Sequence, residues 1–206
     1  MTLYLLFLAV AALTVLSPGP GVLMTITNAL RFGFKGTVGG IFGIAAGAFL
    51  VAGISATALG AILATSAIAF TIMKLIGAAY LIYLGVKLWK APPPNFENRS
   101  THNASFSTRF AEGLSLQLTN PKAIFFFLSV FPQFIDSGAS YKAQFLLLVI
   151  TYASLVVGIH AIYALFAHQA RRWLSSERGG RILNKAGGAT FVCFGAALAA
   201  AKKSGA

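Results

Sequence analysis

Residues 3–30 read LYLLFLAVAALTVLSPGPGVLMTITNAL, an apolar run with no charged side chain in it. The hydrocarbon core of a bilayer is ~30 Å thick and is crossed by ~20 apolar residues of helix. Lipid offers the backbone no hydrogen-bonding partner, so only helices and closed barrels span it. The run does not alternate with period two and continues well beyond the ~10 residues of a barrel strand. It reads as helix. No basic residue precedes it, and the apolar stretch before the cleavage-like Ala9-Val10-Ala11 is too short for a signal peptide. A retained span is expected.

The same run carries its own interruption, Ser17-Pro18-Gly19-Pro20-Gly21. Each proline removes a backbone donor, so the helical ladder must open. An opening at membrane depth survives only where protein or a water-filled cavity satisfies the freed carbonyls. A kink that serves packing alone is the plainer alternative, but four breakers in succession favour a functional opening.

Working outward, five more stretches are apolar enough to span: 38–63, 67–88, 114–135, 145–167 and the shorter 186–201. The expected fold is an all-α integral membrane protein of six transmembrane helices. Composition agrees, since 57% of the 206 residues are hydrophobic and only 10% are charged. A soluble domain carries about a quarter charged residues. The net charge of +12 does not point to nucleic acid, because the basic residues sit in short gaps between apolar runs. Cys193 is the only cysteine, which excludes an intramolecular disulfide and a cysteine-based zinc site.

Those gaps also suggest an orientation. Arg31 and Lys35 lie in the first, Lys90, Arg99 and Arg109 in the third, and Arg171, Arg172, Arg178, Arg181 and Lys185 in the fifth. The second has no charge, and the fourth sets Lys142 beside Asp136. Cytoplasmic loops are enriched in Lys and Arg, so the odd loops are expected in the cytoplasm and the N-terminus outside. Lys202 and Lys203 disagree with this scheme, and a five-span arrangement stays open. The segment 91–108, with Pro92-Pro93-Pro94, is linker-like and divides a first half, 1–90, from a second, 109–206, within one transporter domain.

The second half has an anomaly of its own, Gln117-Leu118-Thr119-Asn120-Pro121-Lys122, just before Phe125-Phe126-Phe127. Polar and ionisable residues inside a membrane are costly and mark functional sites. For Lys122 the alternative is a side chain that snorkels to the cytoplasmic surface. Both breaks fall in the first helix of a three-helix half, and an odd number of helices inverts one half relative to the other. Paired interrupted helices at corresponding positions point to a transporter site between inverted repeats.

Several motifs then occur in order along nearly the whole chain. They are Ser17-Pro18-Gly19-Pro20, Arg31-Phe32-Gly33-Phe34-Lys35-Gly36, Gly39-Gly40 with Gly43, Lys74-Leu75-Ile76-Gly77-Ala78-Ala79-Tyr80, Asn120-Pro121-Lys122 and Phe131-Pro132-Gln133-Phe134. Together they resemble the lysine exporter (LysE/RhtB) family. The resemblance implies a bacterial inner-membrane exporter of amino acids, homoserine lactones and related metabolites, driven by a proton or ion gradient. Two positions depart from the pattern. Gly21 stands where relatives often have Asn or Asp, and His160, followed by Tyr163, stands where many have an intramembrane Asp.

The expected transport-pathway residues are Ser17, Pro18, Gly19, Pro20, Gln117, Asn120, Pro121, Lys122, His160 and Tyr163. His160 titrates near neutral pH in water, which suits proton coupling, although a lone membrane histidine is more often a packing residue. His160 and His168 without a carboxylate make a poor metal site, so neither metal nor cofactor is expected. Lys74 reads as reaching the outer interface along its stem. Gly39, Gly43 and Gly47 form a face for close helix contact, within the bundle or between subunits of a homo-oligomer.

No acidic residue lies in mid-span, so neutral zwitterions are expected over lysine as the small-molecule substrate. A membrane enzyme would need a base near Ser17 or Ser129, and the sequence offers no carboxylate–histidine pair for either. A channel or structural membrane subunit is the alternative, and it leaves both breaks without a purpose.

Overall fold

Proline and glycine placement decides where the helices begin and end. The computed structural model describes residues 2–65, 67–93, 105–135, 138–174 and 176–200. Helix α1 (Thr2–Leu16) stops at the first interruption, and α2 (Pro20–Thr65) starts on its second proline. A straight α2 of 46 residues would measure ~69 Å, more than twice a hydrocarbon core. It does not run straight.

Gly33 has φ 66° and ψ −177°, a conformation open essentially to glycine, and the chain reverses there. Residues on either side of it face one another. A Cβ at Gly40 would lie 3.0 Å from Met24 and 3.8 Å from the Asn28 amide, and one at Gly21 would lie 3.4 Å from Ile44. The limbs 20–32 and 34–65 thus form a helical hairpin whose tip is the expected first basic loop.

The remaining helices are α3 (Ala67–Trp89), α4 (Phe106–Leu118), α5 (Pro121–Phe125), α6 (Tyr141–Leu174) and α7 (Glu177–Ala200). Seven α-helical elements thus stand among the described residues, where six spans were expected. The first expected stretch is split between α1 and α2, and α2 also contains the second. The fourth stretch, 114–135, is likewise interrupted. It passes from α4 through α5 to a π-helical turn at Phe126–Val130 and a 3-10 turn at Phe131–Phe134. Pro121 lacks the N–H that would extend α4, and the Thr119 hydroxyl bonds back to the Ser115 carbonyl at 2.9 Å.

By length and composition, Pro20–Ala56 and Tyr141–Ala167 can cross a membrane, and Leu3–Leu16 and Ala78–Trp89 are shorter apolar helices. Large apolar side chains line the outside, among them Leu5, Leu13, Ile54, Ile76, Ile162 and Phe166. So much exposed apolar surface suits a lipid environment. The linker residues 94–104, Asp136, Lys202, Lys203 and the side chains of Lys74, Ser129 and His168 lie outside the described set.

Helix α2 packs against α4 and α6, α3 against α7, and α1 against α6. The glycine face expected to serve close contact does so inside the chain. Gly39, Gly43 and Gly47 lie against Phe106 and Arg109, Phe110 and Leu114, and Gln117 in turn. Rising numbers on both helices mean that α4 runs parallel to the second limb of α2. Ala29 and Ile41 share a buried cluster with Ala164 and Ala167 of α6. The hairpin tip, the start of α4 and the end of α6 are therefore at the same end of the bundle. A second cluster joins Phe7 of α1 to Phe126, Phe127, Phe131 and Tyr152. Phe126 and Phe127 are thus core.

Candidate functional site

In a helix, the N–H of residue i closes on the carbonyl of residue i−4. Proline at 18 and at 20 therefore removes the donors owed to the carbonyls of Thr14 and Leu16. Both carbonyls are taken up by side chains from the second half of the chain. The Lys122 ammonium donates to the Thr14 carbonyl at 2.8 Å, to the Ser17 carbonyl at 2.9 Å and to the Ser17 hydroxyl oxygen at 3.1 Å. The Tyr163 hydroxyl donates to the Leu16 carbonyl at 2.6 Å. The Ser17 hydroxyl in turn donates to the Thr14 carbonyl at 2.7 Å.

All three ammonium donors are used, and the positive charge sits at the negative end of the α1 dipole. The snorkelling alternative for Lys122 does not hold, since its side chain is buried and points at the other break. Gly19 leaves room for it, because a Cβ there would lie 3.2 Å from the Lys122 nitrogen.

The second break is built from Asn120 and Pro121. Asn120 is the N-cap of α5, accepting from the Lys122 backbone N–H at 3.1 Å, and Pro121 stands at the first helical position, where no donor is needed. The Asn120 amide also donates to the Gln117 side-chain oxygen at 3.4 Å. Gln117 is set in place by Gly47, whose absent Cβ would be 2.7 Å from that of Gln117. The two interruptions, about a hundred residues apart in sequence, meet through Lys122.

Between them lies a cavity of about 20 Å³ lined by Gly21, Gln117, Asn120, Lys122, Tyr152 and His160. That is room for about one water molecule, so this is a closed arrangement. The His160 ring shares a hydrogen bond of 2.7 Å between Nδ1 and the Thr25 hydroxyl. A Cβ at Gly21 would lie 3.3 Å from its Cε1. The two positions that depart from the expected family pattern thus face each other across the cavity wall.

Of the ten expected residues, Gln117, Asn120, Lys122 and His160 line this cavity. Ser17 and Tyr163 bond at its α1 side. Pro18, Gly19, Pro20 and Pro121 shape the breaks, Pro20 from an exposed position. Thr14, Thr25 and Tyr152 were missed. Thr25 stands one turn after Gly21, and Tyr152 two turns before His160, so helical spacing from residues already singled out was the available signal. Among the described residues, no group of acidic, histidine or cysteine side chains is arranged to hold a metal.

Comparison with known proteins fits this arrangement. A homoserine/homoserine lactone efflux protein of Salmonella typhimurium is 34% identical over 196 residues, 95% of each chain. An uncharacterized membrane protein of Vibrio cholerae serotype O1 is 35% identical over 199 residues, 97% of each chain. An uncharacterized membrane protein of Bacillus subtilis, YrhP, is 29% identical over 202 residues, 93% of this chain and 95% of its own. No solved structure gives a significant match. The profile of the LysE type translocator matches residues 4–202. This chain, a membrane transport protein, belongs to the LysE type translocator family.

Proposed function

We propose that the chain is a secondary active exporter of amino acids or related small metabolites, with neutral, homoserine-, threonine- or leucine-like solutes as substrates. It works across the bacterial inner membrane, with its N-terminus on the periplasmic side, and a proton or ion gradient drives it. The observation that carries this reading is the meeting of two interrupted helices, one from each half, at a buried polar cavity. Such a junction is where transporters of inverted repeats hold their substrate. The packing supports that relation. Exchanging the halves turns the contact of α1 with α6 into that of α4 with α2, and leaves the α3–α7 pair unchanged.

Charge argues for the substrate class. The cavity's one charged group is the Lys122 ammonium, and no carboxylate lines it. An amino acid's carboxylate can displace the helix-end carbonyls from Lys122, while Gln117 and Asn120 offer acceptors to its amine. A second cation on the solute would meet only repulsion. Opening is required, because the closed cavity admits no amino acid.

The test is efflux from cells loaded with mixed dipeptides, with and without the protein. Accelerated, uncoupler-sensitive release of neutral amino acids is the expected result. Faster counterflow of lysine than of threonine in vesicles would overturn the preference. Leak that ignores solute identity would favour a channel.

A further inference from the structure

Limb 20–32 presents one face on which Gly21, Thr25, Asn28 and Phe32 follow at helical spacing. The first two meet His160 at the cavity. Asn28 comes next along this face and is 5% exposed, yet its amide nitrogen is buried with no hydrogen-bond partner. A buried donor left unpaired is costly, because it has given up its bonds to water for nothing in return. Opposite it lies bare backbone, where Gly40 faces Gly113 of α4. At Phe32 the face is closed by Arg109, whose guanidinium carbon stands 4.0 Å from the ring centroid. Arg109 is also paired to Glu112 at 3.0 Å, and its side chain is only 11% exposed.

We propose that Asn28 is a loading subsite on the route between the Gly33 end of the bundle and the closed cavity. Its free amide N–H receives the carboxylate of an α-amino acid after the Arg109–Phe32 contact has parted. The arrangement gives the solute carboxylate a sequence of donors. Arg109 attracts it at the mouth, Asn28 holds it one turn inside, and Lys122 takes it at the cavity. The unpaired donor is then kept for a ligand that is present only during turnover.

This inference rests on the export reading, so the experiment separates the two. Full-length protein is reconstituted in one orientation, and radiolabelled homoserine is presented to either face. Asn28→Ala is expected to raise the half-saturating concentration at the Gly33 face about tenfold and to leave that at the other face within twofold. Equal shifts at both faces, or none in a variant that still transports, overturn the proposal.

An Asn28→Cys variant in a Cys193→Ser background gives a readout that does not depend on the substrate. A charged, membrane-impermeant thiol reagent is expected to label it from the Gly33 face only. Labelling from that face with a wild type inert to homoserine keeps the route and removes the substrate reading. No labelling of the inserted variant removes the route.

Discussion

At the residue scale, Lys122 carries most of the argument, because one side chain closes the gap that two prolines open in another helix. Its ammonium takes the carbonyls of Thr14 and Ser17, and Tyr163 takes that of Leu16. The two side chains differ in what their loss should do. Tyr163→Phe leaves one half-exposed carbonyl unpaired, which is worth about 1 kcal/mol by the usual cost of a lost bond. It should lower the denaturation midpoint in detergent slightly and leave most of the transport rate. Lys122→Met removes three bonds and the charge that, in the proposed mechanism, a substrate carboxylate meets. Transport should fall at least tenfold in protein that still inserts, with Lys122→Arg restoring part of it. Initial efflux rates normalised to membrane-inserted protein decide the point. A Lys122→Met variant that exports like wild type would reduce Lys122 to a structural clip.

Elements show which parts of the fold were legible. The interruption at 17–21 was readable because proline and glycine act locally, and the first reversal was readable from Arg31 and Lys35. The π-helical and 3-10 turns after α5 were not. They arise where Phe126, Phe127 and Phe131 pack on Phe7 and Tyr152, contacts between residues far apart in sequence. The bond from Lys122 to α1 was hidden for the same reason. The prolines announce that carbonyls are orphaned but not which side chain will reach them.

The glycine face is the element-scale case that can be tested. A Cβ at Gly43 would fall on the Phe110 carbonyl and lie 2.8 Å from the Leu114 nitrogen. Both are backbone atoms that cannot turn aside. Gly43→Ala must therefore push α4 away from α2 and carry Gln117 with it. A lower melting temperature with reduced transport is expected, against no change for Gly53→Ala, where a Cβ meets open space. Equal melting temperatures for the two variants would mean that α4 is not held by this face.

For the whole molecule, the proposed orientation rests on where the basic residues are gathered. The hairpin tip at Gly33, the start of α4 and the end of α6 share one end of the bundle, and Arg31, Lys35 and Arg109 lie there. Three basic connections at one end make the positive-inside rule a statement about the molecule rather than about single loops. That end is expected in the cytoplasm. In the proposed exporter, a site between two inverted halves is presented to each side in turn, with the Arg109–Phe32 contact parting on the proposed inner side. The prediction is made with single cysteines in the Cys193→Ser background. Asn98→Cys, in the linker, should react with an impermeant thiol reagent only in inside-out vesicles, and Ser66→Cys, between the second and third expected spans, only in intact spheroplasts. The opposite pattern would invert the protein in the membrane and turn the loading subsite at Asn28 into a release site. Reaction of both from the same face would break the odd-loop scheme itself, because one span separates them.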